Sequence, residues 1–259
     1  MKHRSTGMSL AEVIIASGIS SIIILFVAST AIAISKFSQQ AVMSRIVDTQ
    51  VTQGLDAVAK ELRDGIAILP STVIKGKSYT TSSTCVVLSA TGYDFSKANP
   101  ILESTDTVVF AFVPAMSQLS RTCLPGVGSI RPVGSDAKVI ACSDVKFTYR
   151  VSEAIDWLST STTTATETFK LAAIPQEQPT CTRNGMTIPC AWQSGSQTVI
   201  IQTPSGASVI GIQYKVLPSA ANCQHITSVE VQTKRSVSTL NGSQAINSHM
   251  TEARMRNKR

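Results

Sequence analysis

Residues 8–37 read MSLAEVIIASGISSIIILFVASTAIAISKF, and no charged side chain occurs between Val13 and Ser35. At 1.5 Å per residue this run makes a helix of about 35 Å, enough to cross a hydrocarbon core of about 30 Å. No second stretch of the chain has that length and composition. Lys2 and Arg4 precede the run and Lys36 is the one charge directly after it, so the positive-charge bias places the N-terminus in the cytoplasm and the rest outside. A cleaved secretory signal is a competing reading, because Ala31-Ile32-Ala33 has the small-x-small form of a cleavage site. Its apolar region would be about 7–15 residues, shorter than this one. An uncleaved signal anchor is another, and it leaves Glu12 without a purpose.

Glu12 sits at the start of the apolar run, where an ionisable group is costly and therefore informative. A cut after Gly7 makes Met8 the new N-terminus and puts Glu12 one helical turn from a free ammonium group. A carboxylate in that first turn suits the helix dipole, and it neutralises an ammonium that would otherwise enter lipid unpaired. The pair can form within one chain or between neighbours in a filament.

The basic leader Lys2-His3-Arg4, then Gly7, then Met8-Ser9-Leu10-Ala11-Glu12-Val13 and the apolar helix resemble the proteins with a class III signal peptide. These are the type IV pilins, the minor pilins and the pseudopilins of type II secretion. The resemblance implies that a prepilin peptidase cuts after Gly7 and methylates Met8, and that Glu12 is the assembly carboxylate. Met8-Ser9 departs from the usual Phe-Thr start. The segment Leu55 to Arg63 (LDAVAKELR) and the arginine-rich ending are similar to those of large W-type minor pilins and J-type pseudopilins. The size of the chain then implies a tip or initiating subunit.

Beyond the span, Val47, Val51, Leu55, Val58 and Leu62 recur at steps of three and four, which predicts that the helix runs on as an amphipathic one. Asp64-Gly65 is the expected stop, Pro70 prevents a restart, and Gly18 and Gly54 are candidate bends. From there the pattern is β. Strands are expected at Cys85–Leu88, Thr107–Val113, Lys138–Ala141, Val145–Val151, Thr198–Thr203, Val209–Leu217 and Ile226–Val237, between Gly, Pro, Ser and Asn clusters. Val145, Phe147, Tyr149 and Val151 alternate strictly, as do Val229 and Val231, so these strands should bury one face. Ser159 to Thr168 (STSTTTATET) reads as an exposed loop, or alternatively as a short edge strand. Ala253 and Met255, alternating with arginines, suit a last strand.

The expected fold class is therefore α+β: a long N-terminal helix, transmembrane and then amphipathic, packed on a mainly antiparallel β head. The expected parts are a leader at 1–7, a transmembrane half at 8–35, an amphipathic half at 36–65 and a disulfide-bonded head at 66–259. The expected location is the inner membrane, crossed once with the N-terminus in the cytoplasm and the head in the periplasm, and then the pilus or pseudopilus.

The 259 residues carry 43% hydrophobic, 15% charged and six Cys residues, a composition that excludes a charge-driven disordered chain and a polytopic membrane protein. Cys85, Cys123, Cys142, Cys181, Cys190 and Cys223 all follow the span, on the oxidising side. Cys181 and Cys190 flank a turn-like segment centred on Asn184-Gly185 and make the safest bridge, followed by Cys123–Cys142 and then Cys85–Cys223. The first encloses a short loop and should contribute about 2–3 kcal/mol at most.

A metal site has one faint candidate, Cys223 with His225, which would face the same way on a strand; H-E-x-x-H and C-x-x-C are both absent. Catalysis has only His225 and His249 as imidazole bases, with no G-x-S-x-G or Walker-type loop beside them. Neither a cofactor nor an enzyme is expected. The formal charge of +7 permits DNA as a partner if Lys75, Lys77, Lys234, Arg235, Arg254, Arg256, Lys258 and Arg259 gather into one patch. The expected function is assembly: a minor pilin or pseudopilin whose partners are prepilin peptidase, inner-membrane lipid and, through the N-terminal helix, other subunits. A DNA-receptor or adhesive pilin, or a signal-anchored envelope protein or enzyme, is the alternative.

Overall fold

The computed structural model describes residues 9–94, 101–127, 129, 137–159, 165–203, 206–238 and 244–255. Helix α1 runs unbroken over Leu10–Arg63. It crosses the border between two compact units at Thr49 and Gln50. In the first unit the apolar side chains from Leu10 to Ile46 are open, with Leu10 81% and Phe26 69% exposed. In the second, Val51, Leu55, Val58, Ala59 and Leu62 are buried, the stripe that the spacing of apolar residues predicts. The helix is thus apolar all round over residues 13–35, mixed over 36–49, and apolar on one buried side from Val51.

The strands, in chain order, are β1 (Gly65–Ile68), β2 (Ser71–Ile74), β3 (Lys77–Thr80), β4 (Cys85–Asp94), β5 (Ile101–Val113), β6 (Gln118–Leu124), β7 (Ala137–Ala141), β8 (Asp144–Ser159), β9 (Ala165–Lys170), β10 (Thr180–Arg183), β11 (Met186–Ile188), β12 (Cys190–Trp192), β13 (Thr198–Thr203), β14 (Gly206–Val216), β15 (Ser228–Ser238) and β16 (Gln244–Arg254). They form a five-stranded sheet in the order β1-β4-β5-β6-β7 and a six-stranded sheet in the order β11-β10-β14-β8-β15-β16. A three-stranded sheet, β12-β13-β9, and the hairpin β2-β3 complete the head. The described pairings are antiparallel. The fold class is α+β, a long N-terminal helix on a mainly antiparallel head, as the sequence leads one to expect.

Alternation fixes which face is covered. Val145, Phe147, Tyr149 and Val151 on β8 are each at most 2% exposed, as are Val229 and Val231 on β15. They share one core with the α1 stripe and with Val86, Leu88, Val108, Phe110 and Ile140 of the five-stranded sheet. The opposite face of that sheet has its own small cover: Ile74 and Tyr79 of the β2-β3 hairpin close over Val87 and Val109. That hairpin turns at Lys75-Gly76, both at positive φ, and Lys77 Nζ lies 5.0 Å from the Tyr79 ring centre.

Gly54 has a different reason from the expected bend. A Cβ there would lie 2.4 Å from Ile140 Cγ1 and 3.0 Å from the Val139 carbonyl oxygen, so the glycine lets β7 approach the helix. Two turns further on, Glu61 is bound by Arg121 of β6, with Nε 2.9 Å from Oε1 and Nη2 2.8 Å from the same oxygen. Both side chains are about three-quarters buried, so the pair is shielded from screening salt. Of the segment Ser159–Thr168, residues 160–164 lie outside the described residues; β8 continues to Ser159, and Ala165–Thr168 open β9, an edge strand against β13, as the alternative reading expects there. Threonine suits a strand once a partner is there to pair with.

Replacing an exposed helical glycine by alanine stabilises a helix by about 1 kcal/mol. At Gly54 the sign reverses, because the added methyl overpacks against Ile140. Gly54→Ala should cost about 1–3 kcal/mol. Thermal unfolding of the full-length chain in detergent reads the difference, and a raised midpoint would contradict the packing described.

Candidate functional site

The first described turn of α1 is closed by its own side chains. The Ser9 N–H donates to Glu12 Oε2 at 2.9 Å, and the Glu12 N–H donates to Ser9 Oγ at 3.3 Å. This reciprocal pair is a capping box: two main-chain donors that the helix leaves without partners are both satisfied. It assigns Glu12 a structural role that the sequence reading missed, although the spacing Ser9-x-x-Glu12 carries the signal. A carboxylate offers about four lone-pair sites, so one accepted hydrogen bond leaves capacity for a further donor. Gly7 and Met8 lie outside the described residues.

Downstream, the hydroxyls that interrupt the apolar run turn back onto the helix. Ser17 donates to Ile14 O (2.9 Å), Ser21 to Ser17 O (2.8 Å), and Thr30 to Val27 O (2.9 Å). These bonds let polar side chains sit in an apolar medium without open donors. The helix is long and apolar enough to cross a membrane.

The cysteines divide. Cys181 and Cys190 form a disulfide with Cα atoms 6.2 Å apart. It brackets the β10-β11 hairpin, whose turn holds Asn184 and Gly185 at φ 48° and 84°. Because Cys181 lies on β10 and Cys190 opens β12, the bridge joins the six-stranded sheet to the three-stranded one.

The two further pairings are corrected. The Cys142 N–H donates to Ser117 O, so Cys142 lies opposite Ser117, and Cys123 is six residues further along β6. At about 3.3 Å per residue that is roughly 20 Å, far beyond the about 7 Å that a disulfide spans. Cys85 keeps a free thiol, so Cys85–Cys223 is not formed. The main chain at Cys85 is instead held by Tyr149, whose hydroxyl donates to Ser82 O (2.7 Å) and Cys85 O (2.9 Å). Burial pushes the Cys85 thiol up to about 11 against the pull of Lys77, and burial does the same to Cys142.

Cys223 and His225 do not share a strand face. They lie on a 3-10 turn, Cys223–His225, where residues two apart diverge, with Cys223 buried. Among the described residues no group of three His, Cys, Asp or Glu side chains has the placement to hold a metal ion. Of the described basic residues, Arg254 stands apart from Lys234 and Arg235. The Met255 N–H donates to Thr227 O, which sets Arg254 at the Ser228 end of β15, while Lys234 and Arg235 lie six or seven residues along it, about 20 Å away. Lys75 and Lys77 are on the β2-β3 hairpin, and Arg256, Lys258 and Arg259 fall outside the described residues.

Thiol chemistry separates these cysteines. In chain denatured without reductant, alkylation followed by mass spectrometry should label Cys85 and Cys142 and spare Cys181 and Cys190. In the native chain the thiolate is the reacting form, so a thiol raised to about 11 is nearly all protonated at pH 8. Its alkylation rate should rise about tenfold per pH unit from pH 8 to 10 and level off only above 11; a plateau near pH 9 would contradict the burial of Cys85. In comparison with known proteins, no family model, no curated protein and no solved structure matches this chain.

Proposed function

We propose that the chain is a minor pilin or pseudopilin, a subunit for assembling or initiating a type IV pilus or a type II secretion pseudopilus. A prepilin peptidase cuts after Gly7 and methylates Met8, and residues 13–35 hold the subunit in the inner membrane with the head on the far side. The observation that carries the reading is an apolar helix, open along its whole first part, with a carboxylate fixed in its first turn. The open surface can exchange lipid for the helices of other subunits and remain out of water in both states.

Glu12 then supplies register. The capping box holds its carboxylate beside Ser9, one peptide unit from the nitrogen that cleavage would free. Opposite an ammonium from its own or a neighbouring chain the charge is paired. In a slipped register it is buried among apolar side chains without a counter-ion, which is costly.

The decisive measurement is the intact mass and N-terminal sequence of the native protein from cells with and without prepilin peptidase activity. A chain starting at methylated Met8 only when the peptidase is present is the expected result. A start after Ala33, or an uncut Met1, would overturn the proposal. Glu12→Ala should insert in the membrane normally and enter filaments at least about a hundredfold less well, in line with the loss of about 3–5 kcal/mol when one partner of a buried ion pair is removed. Normal incorporation of that variant would defeat the assigned role.

A further inference from the structure

A cleft of about 620 Å³ opens between α1 and β7. One wall is the solvent side of the helix at Gln50, Gln53 and Ala57. The other is β7, the last strand of its sheet, which pairs with β6 on one side and, among the described residues, with no strand on the other. A helix facing an open sheet edge is an arrangement in which an extended peptide adds as a further strand. The edge supplies main-chain hydrogen bonds and the helix side chains contact the inserted chain. Gly54 fixes the spacing of the two walls by admitting Ile140 against the helix.

The charge of the lining selects the occupant. Arg121, Lys138 and Arg235 border the cleft, and no carboxylate does. Arg121 is committed to Glu61, whereas Lys138 and Arg235 have no ion pair among the described residues. A second copy of this chain, at +7, is a poor electrostatic match. Open edges are ordinarily guarded against casual pairing by lysines and by bulges. β7 has both, with Lys138 on the edge and the pairing register shifting at Val139. A guard of this kind repels neutral and basic strands, and it turns into a recognition element when the incoming strand is acidic.

We propose that this cleft binds an extended, acidic segment of another polypeptide by adding it as a strand to β7, with Lys138 and Arg235 pairing its carboxylates. The five residues of β7 give a contact about 17 Å long. Nothing in this requires cleavage at Gly7 or a role for Glu12, so it stands or falls apart from the N-terminal reading.

The test uses the full-length chain in non-ionic detergent at roughly 50 mM salt, where screening is moderate. The probe is a fluorescein-labelled octapeptide alternating Glu with Val and Thr, followed by anisotropy. Saturable binding is expected, weakened at least about tenfold in Lys138→Glu/Arg235→Glu and unchanged in Lys75→Glu, a charge reversal on the β2-β3 hairpin. The same peptide with alternate main-chain nitrogens methylated keeps its charge and loses its donors, and it should bind at least about tenfold more weakly to the unaltered chain. Three results would each overturn the proposal: no saturation below millimolar peptide, equal binding of the methylated peptide, or equal weakening by Lys75→Glu.

Discussion

The burial of one stripe along the last four turns of α1 is the contact on which the head depends. Val51, Leu55, Val58, Ala59 and Leu62 belong to a single core that also takes in residues of both large sheets, and the helix meets the five-stranded sheet directly at Gly54 and Glu61. The stripe's valine and leucine side chains contribute about 1.5–3 kcal/mol each on burial, which makes the stripe a large share of a domain's net stability. Gly54 and the Glu61–Arg121 pair convert that non-directional attraction into one fit. The glycine sets how close β7 comes, and the charge pair fixes the helix against β6.

Much of this was legible beforehand because the signals are periodic. The uncharged run from Val13 to Ser35, the three-and-four spacing through Leu62 and the alternation on β8 each follow from one repeat length, and each emerged where the repeat predicts. The strands that escaped the reading, β1 to β3, β6 and β10 to β12, are mostly three or four residues long. A run that short has too few side chains to display alternation, and its pairing is set by partners distant in sequence. Ile74 and Tyr79 show their purpose only once Val87 and Val109 are seen beneath them.

The candidate sites divide the same way. Cys181 and Cys190 were readable because the bridge is local and a positive-φ Asn-Gly turn sits between them. Cys123 and Cys142 were not, because their separation depends on register along β6 and β7, which composition does not encode. The spacing Ser9-x-x-Glu12 encodes a capping box, but a charge at the edge of an apolar run is the stronger signal at Glu12 and hides its role as the acceptor of a main-chain N–H. Lys138 and Arg235 are 97 positions apart in the numbering and meet only around a cleft that the sheets create.

The disulfide across the β10-β11 hairpin and the stripe on α1 also imply an order of events. A ribosome delivers the helix first, and Glu61 must wait for Arg121, sixty residues later. Val229, Val231 and Ala253, which finish the same core, arrive last of all. During that interval the stripe is a sticky surface with its intended cover still unmade, the condition in which chains of high contact order aggregate or need a holding chaperone. The Cys181–Cys190 link, by contrast, can close as soon as its own short segment is out, so the head gains a covalent corner long before it gains a core.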